Sequence, residues 1–109
     1  MEKKDNSLNL PQYIQVGGQK VDIELVDSIE YNVLGRCHLS EGIIKIADSG
    51  NGRKQSDDSK LNTFIHECVH AILENMGRTD LNNDEVFVCT FSGFATEVLK
   101  SILEQYDNR

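Results

Sequence analysis

The sequence has no tryptophan, a single proline and only three cysteines in 109 residues. Cys37, Cys68 and Cys89 cannot all pair with one another and show no CxxC spacing, which excludes a disulfide framework and a zinc ribbon. No apolar run approaches the roughly 18 residues of a membrane span. The first ten residues, MEKKDNSLNL, have no apolar core after their lysines, so no signal peptide is expected there. Basic clusters are missing too: the longest are Lys3-Lys4 and Arg53-Lys54, in a chain of formal charge −7. Such a balance repels nucleic acid. These absences point to the reducing cytoplasm, with neither nucleic acid nor membrane as partner.

What remains is the composition of one small globular domain, 39% apolar and 27% charged. At this length roughly two thirds of the unfolded surface can be buried, enough for one modest core. Residues 1–11 are polar, end in Pro11 and read as a flexible arm, leaving 12–109 as a single domain. The acidic excess is uneven. Between residues 53 and 79 the chain is neutral, while the segments 21–52 and 80–109 each carry −4.

Ile14 and Val16, then Val21, Ile23 and Leu25, alternate with polar neighbours around Gly17-Gly18, the pattern of a hairpin. Val33–Leu39 reads as a third strand and Ile43–Ala47 as a fourth, with a turn at Glu41-Gly42. The polar stretch 48–59 reads as a loop. Beyond it, Leu61, Phe64, Ile65, Cys68, Val69, Ile72 and Met76 follow helical spacing. Asp58 or Ser59 is the expected cap, and Gly77 the expected stop. After a linker, Arg78 to Leu81, a second helix from about Asn82 carries the stripe Val88, Phe91, Ala95, Val98, Leu99 and Ile102. Strands followed by helices predict an α+β fold, a small, largely antiparallel sheet of three or four strands on two C-terminal helices.

The first helix contains His66-Glu67-Cys68-Val69-His70. Residues four apart on a helix lie one turn above each other, so the two imidazoles can grip one metal ion from one side. Glu67 lies about 100° around from His66 and can reach a water at that ion. With three histidines and nine glutamates, roughly one shuffled chain in two hundred shows this spacing by chance. Taking Leu61 as origin, the apolar stripe centres near about 30°, and the three residues fall at about 140°, 180° and 240°, off the core face. The bland alternative is a pair of surface histidines.

A catalytic zinc takes three protein ligands and keeps a fourth position open. Glu85, in the first turn of the second helix, is the candidate third ligand, with Asp84 or Asp80 as alternatives. A structural role competes: with Asn82 as N-cap, Glu85 would be the third helical residue and complete a capping box. Small Ser92 and Gly93 would allow close helix approach. Cys68 and Cys89 read as buried, inert thiols beside apolar stripes. A Cys37-His38 nucleophile is excluded by strand geometry, since neighbours point to opposite faces.

HECVH, followed by an acidic residue opening an amphipathic helix, resembles the gluzincin zinc metallopeptidases, and most closely the short phage-associated, minimal single-domain forms. The resemblance runs over nearly the whole chain, through the GG hairpin, Gly42-Ile43-Ile44-Lys45-Ile46 and Thr63-Phe64-Ile65-His66-Glu67. Cys68 and Cys89 depart from it, at positions more often aliphatic and polar. The resemblance implies zinc held by His66, His70 and Glu85, Glu67 as general base and acid, and an extended peptide or protein substrate. It also implies that Ile43–Ala47 is the sheet edge that aligns that substrate. His38 and Tyr106 are the candidate donors to an oxyanion. Competing functions are a zinc-binding regulatory or interaction protein with little proteolysis, a hydrolase of non-peptide amides, and an interaction module without metal. The oligomeric state stays open at this stage.

Overall fold

The computed structural model describes residues 10–107. Residues 1–9 of the expected arm lie outside that range, whereas Leu10 is buried in the core beside Val21, Ile44 and Phe64. The main sheet holds four strands, β1 (Tyr13–Val16), β2 (Gln19–Val26), β3 (Gly35–His38) and β4 (Ile43–Ala47), in the spatial order β1-β2-β4-β3. β1 and β2 form the antiparallel hairpin around Gly17-Gly18, both at positive φ as the tight turn requires. β2 and β4 run parallel, with Asp22 beside Ile43 and Val26 beside Ala47. β3 returns antiparallel on the other side of β4, Gly35 opposite Ile46. The fold is therefore α+β with a largely antiparallel sheet.

β4 is a central strand, not the edge that the resemblance implied. Ile44, Ile46 and Ala47 are wholly buried, which fits the near-continuous apolar run of a strand covered by neighbours on both sides. The edge on this side is β3.

The segment expected as a loop contains a small hairpin, β5 (Ser49–Gly50) paired with β6 (Arg53–Lys54), turning at Asn51-Gly52 with both residues at positive φ. Helix α1 (Asp57–Met76) follows at once. Its N-cap is Ser56, whose hydroxyl accepts from Ser59 N at 3.1 Å, rather than Asp58 or Ser59. Gly77 closes it in the left-handed conformation, as expected. Gln55 staples this start to the sheet: its amide donates to Ala47 O at the end of β4, while its oxygen accepts from Ser59 and Thr63 on α1. Lys60 and Asp48 complete the lock with a buried ion pair at 2.7 Å.

The expected linker contains a short helix, α2 (Thr79–Asn82), before α3 (Glu85–Asp107). α1 is the middle layer. Leu61 and Phe64 pack on the sheet, and Val69 and Leu73 meet Val88 of α3. The stripe expected to bury α3 is only partly buried. Val88 is enclosed and Leu99 packs on the core, but Phe91, Val98 and Ile102 are exposed, while Ser92 and Thr96 are buried. Glu85–Tyr106 is long and apolar enough, by length and composition alone, to cross a membrane, although three of its residues are seated against α1.

Candidate metal centre

α1 buries one face against the sheet and another against α3, which leaves a strip between them. His66 and His70 occupy that strip, with ring centroids 4.9 Å apart and planes at 69°. Both are half-buried. Glu85, the first residue of α3, reaches across to them. Its Oε1 lies 3.6 Å from His66 Nε2 and its Oε2 3.7 Å from His70 Nε2. One ligand atom from each of the three lies within 4.8 Å of the others.

These separations are long for hydrogen bonds. They suit two donors on one tetrahedral ion, since bonds of about 2.0–2.2 Å put neighbouring ligand atoms roughly 3.3–3.6 Å apart. A borderline cation such as zinc accepts two imidazoles and a carboxylate. The residues present fit the metal that the resemblance implied.

Glu85 is free for this role because the cap is made elsewhere. Asp84 Oδ1 accepts from Phe87 N at 3.1 Å, so Asp84 is the N-cap of α3 and Glu85 is its first residue, not the third residue of a capping box. Asp80, the other alternative ligand, is paired with Arg78 through two bonds of 3.0 and 2.8 Å, which hold its carboxyl down at about 2.

Asn82, expected as that cap, does something different. Its Oδ1 lies 2.6 Å from His70 Nδ1. An amide oxygen only accepts, so Nδ1 is the donor, and in the neutral ring this leaves the lone pair on Nε2, the nitrogen turned to Glu85. His66 has a weaker counterpart, Cys89 Sγ at 4.0 Å from its Nδ1. Burial lowers the His66 pKa, His70 lowers it further and Glu85 opposes; the net direction favours the neutral form that a metal requires.

Glu67 lines the same cleft next to Gly35 of β3 and is buried, 7% exposed. Burial pushes its carboxyl up to about 7; His70 works against that, Glu85 adds to it and Arg36 opposes it. Its carboxylate is roofed by β3. A Cβ placed on Gly35 would lie 3.1 Å from Glu67 Oε2 and 2.6 Å from Thr63 Cγ2, so glycine is what lets the strand approach α1 this closely. Burial likewise pushes the Cys68 thiol up to about 12 and the Cys37 thiol up to about 11, in keeping with an inert Cys68, whereas Cys89, expected to be buried too, is exposed because its part of α3 faces solvent.

The strip opens into a cleft of about 620 Å³ between β3 and the helices. Residues 32–37 form one wall, and His66, Glu67, His70, Glu74, Asn82 and Glu85 lie on the other side. His38 and Tyr106 are not in it. Arg36, which the sequence did not single out, is the one cation among the described residues lining the cleft, and its guanidinium sits 3.3 Å from Glu30 Oε1. The sequence reading also missed Asn82 as a partner of His70 and Gly35 as the contact over Glu67. An Asx residue in a short inter-helix link was a signal for a cap only, and nothing local marks a β3 glycine as lying over a carboxylate. No family model matches the chain, and no curated protein or solved structure matches it either.

Proposed function

We propose that the protein is a single-domain zinc metallopeptidase that hydrolyses peptide bonds in extended substrates. One observation carries this reading: both oxygens of Glu85 face the Nε2 atoms of His66 and His70, at 3.6 and 3.7 Å, with the Glu67 carboxyl buried beside them. Zinc held by these three residues supplies Lewis acidity toward a scissile carbonyl and toward water.

The chain's own groups do the rest. Glu67 takes the proton of the attacking water on its carboxylate and returns it to the leaving amine. Asn82 and Cys89 orient the two rings through Nδ1. β3 offers an outer edge along the cleft, where an extended peptide can add as a further strand and have its carbonyls aligned by main-chain hydrogen bonds. Arg36 lines the same wall and is the donor available to a developing oxyanion.

Glu67→Gln tests the reading. The variant keeps its zinc and loses hydrolysis of an unfolded protein substrate by about 100- to 10,000-fold. Full hydrolysis by Glu67→Gln would contradict the assignment. Wild-type protein that binds zinc and cleaves nothing would favour the regulatory alternative.

A further inference from the structure

α3 turns two hydroxyls inward and two phenyl rings outward. Ser92 (1% exposed) and Thr96 (6%) face α1, while Phe91 (51%), Phe94 (65%) and Val98 (59%) face solvent. The inward side is settled: Ser92 Oγ donates to Cys89 O, and Thr96 Oγ1 donates to Ser92 O and reaches Asn62 Oδ1 at 3.3 Å. The outward side is not what a monomer shows over so continuous a surface. At 100° per residue, Phe87, Phe91, Phe94, Ala95, Val98 and Ile102 fall within an arc of about 100°, centred about 130° around the helix from Glu85. Phe87 and Phe91 are stacked, with centroids 5.7 Å apart. From Val86 to Thr96 the helix carries no charge, and Glu97, Lys100 and Glu104 fall outside the arc.

We propose that this face is the interface between two copies of the chain, packed α3 against α3 in antiparallel orientation. A two-fold axis sets residue i against residue j with a constant sum of positions. With the axis between Phe94 and Ala95, Phe87 of one copy meets Ile102 of the other, Phe91 meets Val98, and Phe94 meets Ala95. Every apolar member of the arc finds an apolar partner, and the spacing of the arc is its own mirror image.

The area is sufficient. Phe91, Phe94, Val98 and Ile102 expose on the order of 500 Å² per copy, so the pair covers about 1,000 Å², the lower bound of a specific interface before flanking residues are added. The other occupants fit less well. A chain of net charge −7 is repelled by anionic lipid, and the uncharged seam offers nothing to a charged partner. The axis also leaves each Glu85 about 14 Å from the centre along the helix, so the metal-centre clefts stay open. The inference does not depend on the metal reading.

Sedimentation equilibrium of the full chain, from low micromolar to about 0.1 mM, tests it. The expected species is twice 12.3 kDa, and its dissociation constant falls with added salt as the like charges are screened. Phe91→Glu and Val98→Lys each weaken association by about tenfold or more, with unchanged circular dichroism. The double variant F91E/V98K recovers association, because the two introduced charges face each other across the axis. A monomer throughout the range, a dimer indifferent to both single substitutions, or a double variant without recovery would overturn the proposal. So would a monomer that floats with vesicles of phosphatidylcholine and phosphatidylglycerol, which would give the face to a bilayer.

Discussion

Asn82 Oδ1 stands 2.6 Å from His70 Nδ1, and this contact sets which nitrogen of His70 faces Glu85. α2 is four residues long, and its last residue orients the second ring of the centre. Asn82→Ala is expected to weaken zinc affinity by about 10- to 100-fold, as loss of an outer-shell acceptor does, with little change in stability. Asn82→Asp keeps an acceptor at the same place and retains the affinity. Competition against a chromogenic chelator reads both, and equal affinity for wild type and Asn82→Ala would remove Asn82 from the site.

Asp84 and Glu85 are neighbours with separable tasks. Asp84 caps α3 through Phe87 N, and Glu85 faces the histidines. Asp84→Ala should cost about 1 kcal/mol of stability and leave zinc affinity intact. Glu85→Ala should do the reverse, losing most of the affinity while the metal-free protein unfolds at nearly the wild-type urea concentration. If both substitutions act on stability alone, Glu85 is a helix residue and no ligand.

Much of this arrangement is legible in the sequence because it rests on local periodicity. The HECVH spacing places His66, His70 and Glu67, β4 spans the residues that its apolar run marks, and Gly77 ends α1. What escapes is set by long-range placement. The resemblance makes β4 an edge, but β3 folds outside it; the signal against an edge is Ile43-Ile44 with Ala47, apolar on both faces. Ser56, Asp57, Asp58 and Ser59 all have capping side chains, so local sequence does not distinguish which of them starts α1. The stripe of α3 reads as a core face because periodicity reports an apolar face without saying what covers it. Phe91 and Val98 are the residues where that matters.

Gly35 holds β3 against α1 over the Glu67 carboxyl. Gly35→Ala puts a methyl group 2.6 Å from Thr63 Cγ2, so strand or helix has to move, at a cost of about 1–3 kcal/mol. The expected result is a lower melting temperature together with a larger loss of hydrolysis than of zinc affinity, since Glu67 is displaced while His66, His70 and Glu85 are not. Unchanged activity would show that the roof over Glu67 is dispensable.

Lys60 and Asp48 tie the first turn of α1 to the end of β4, both buried and 2.7 Å apart. Lys60→Ala leaves the Asp48 charge buried and should cost about 3–5 kcal/mol, a large share of the stability of a small domain. Replacing both together, Lys60→Met with Asp48→Leu, should recover most of it. Urea unfolding at neutral pH measures the cycle, and a Lys60→Ala loss below about 1 kcal/mol would mean that the pair is screened after all.

Equilibrium dialysis against zinc, followed by elemental analysis, addresses the centre itself. One zinc per chain is expected for the wild type and for Glu67→Gln, and none for His66→Ala or His70→Ala. Wild-type protein that takes up no zinc when the ion is in excess, or uptake that survives loss of either histidine, would contradict it.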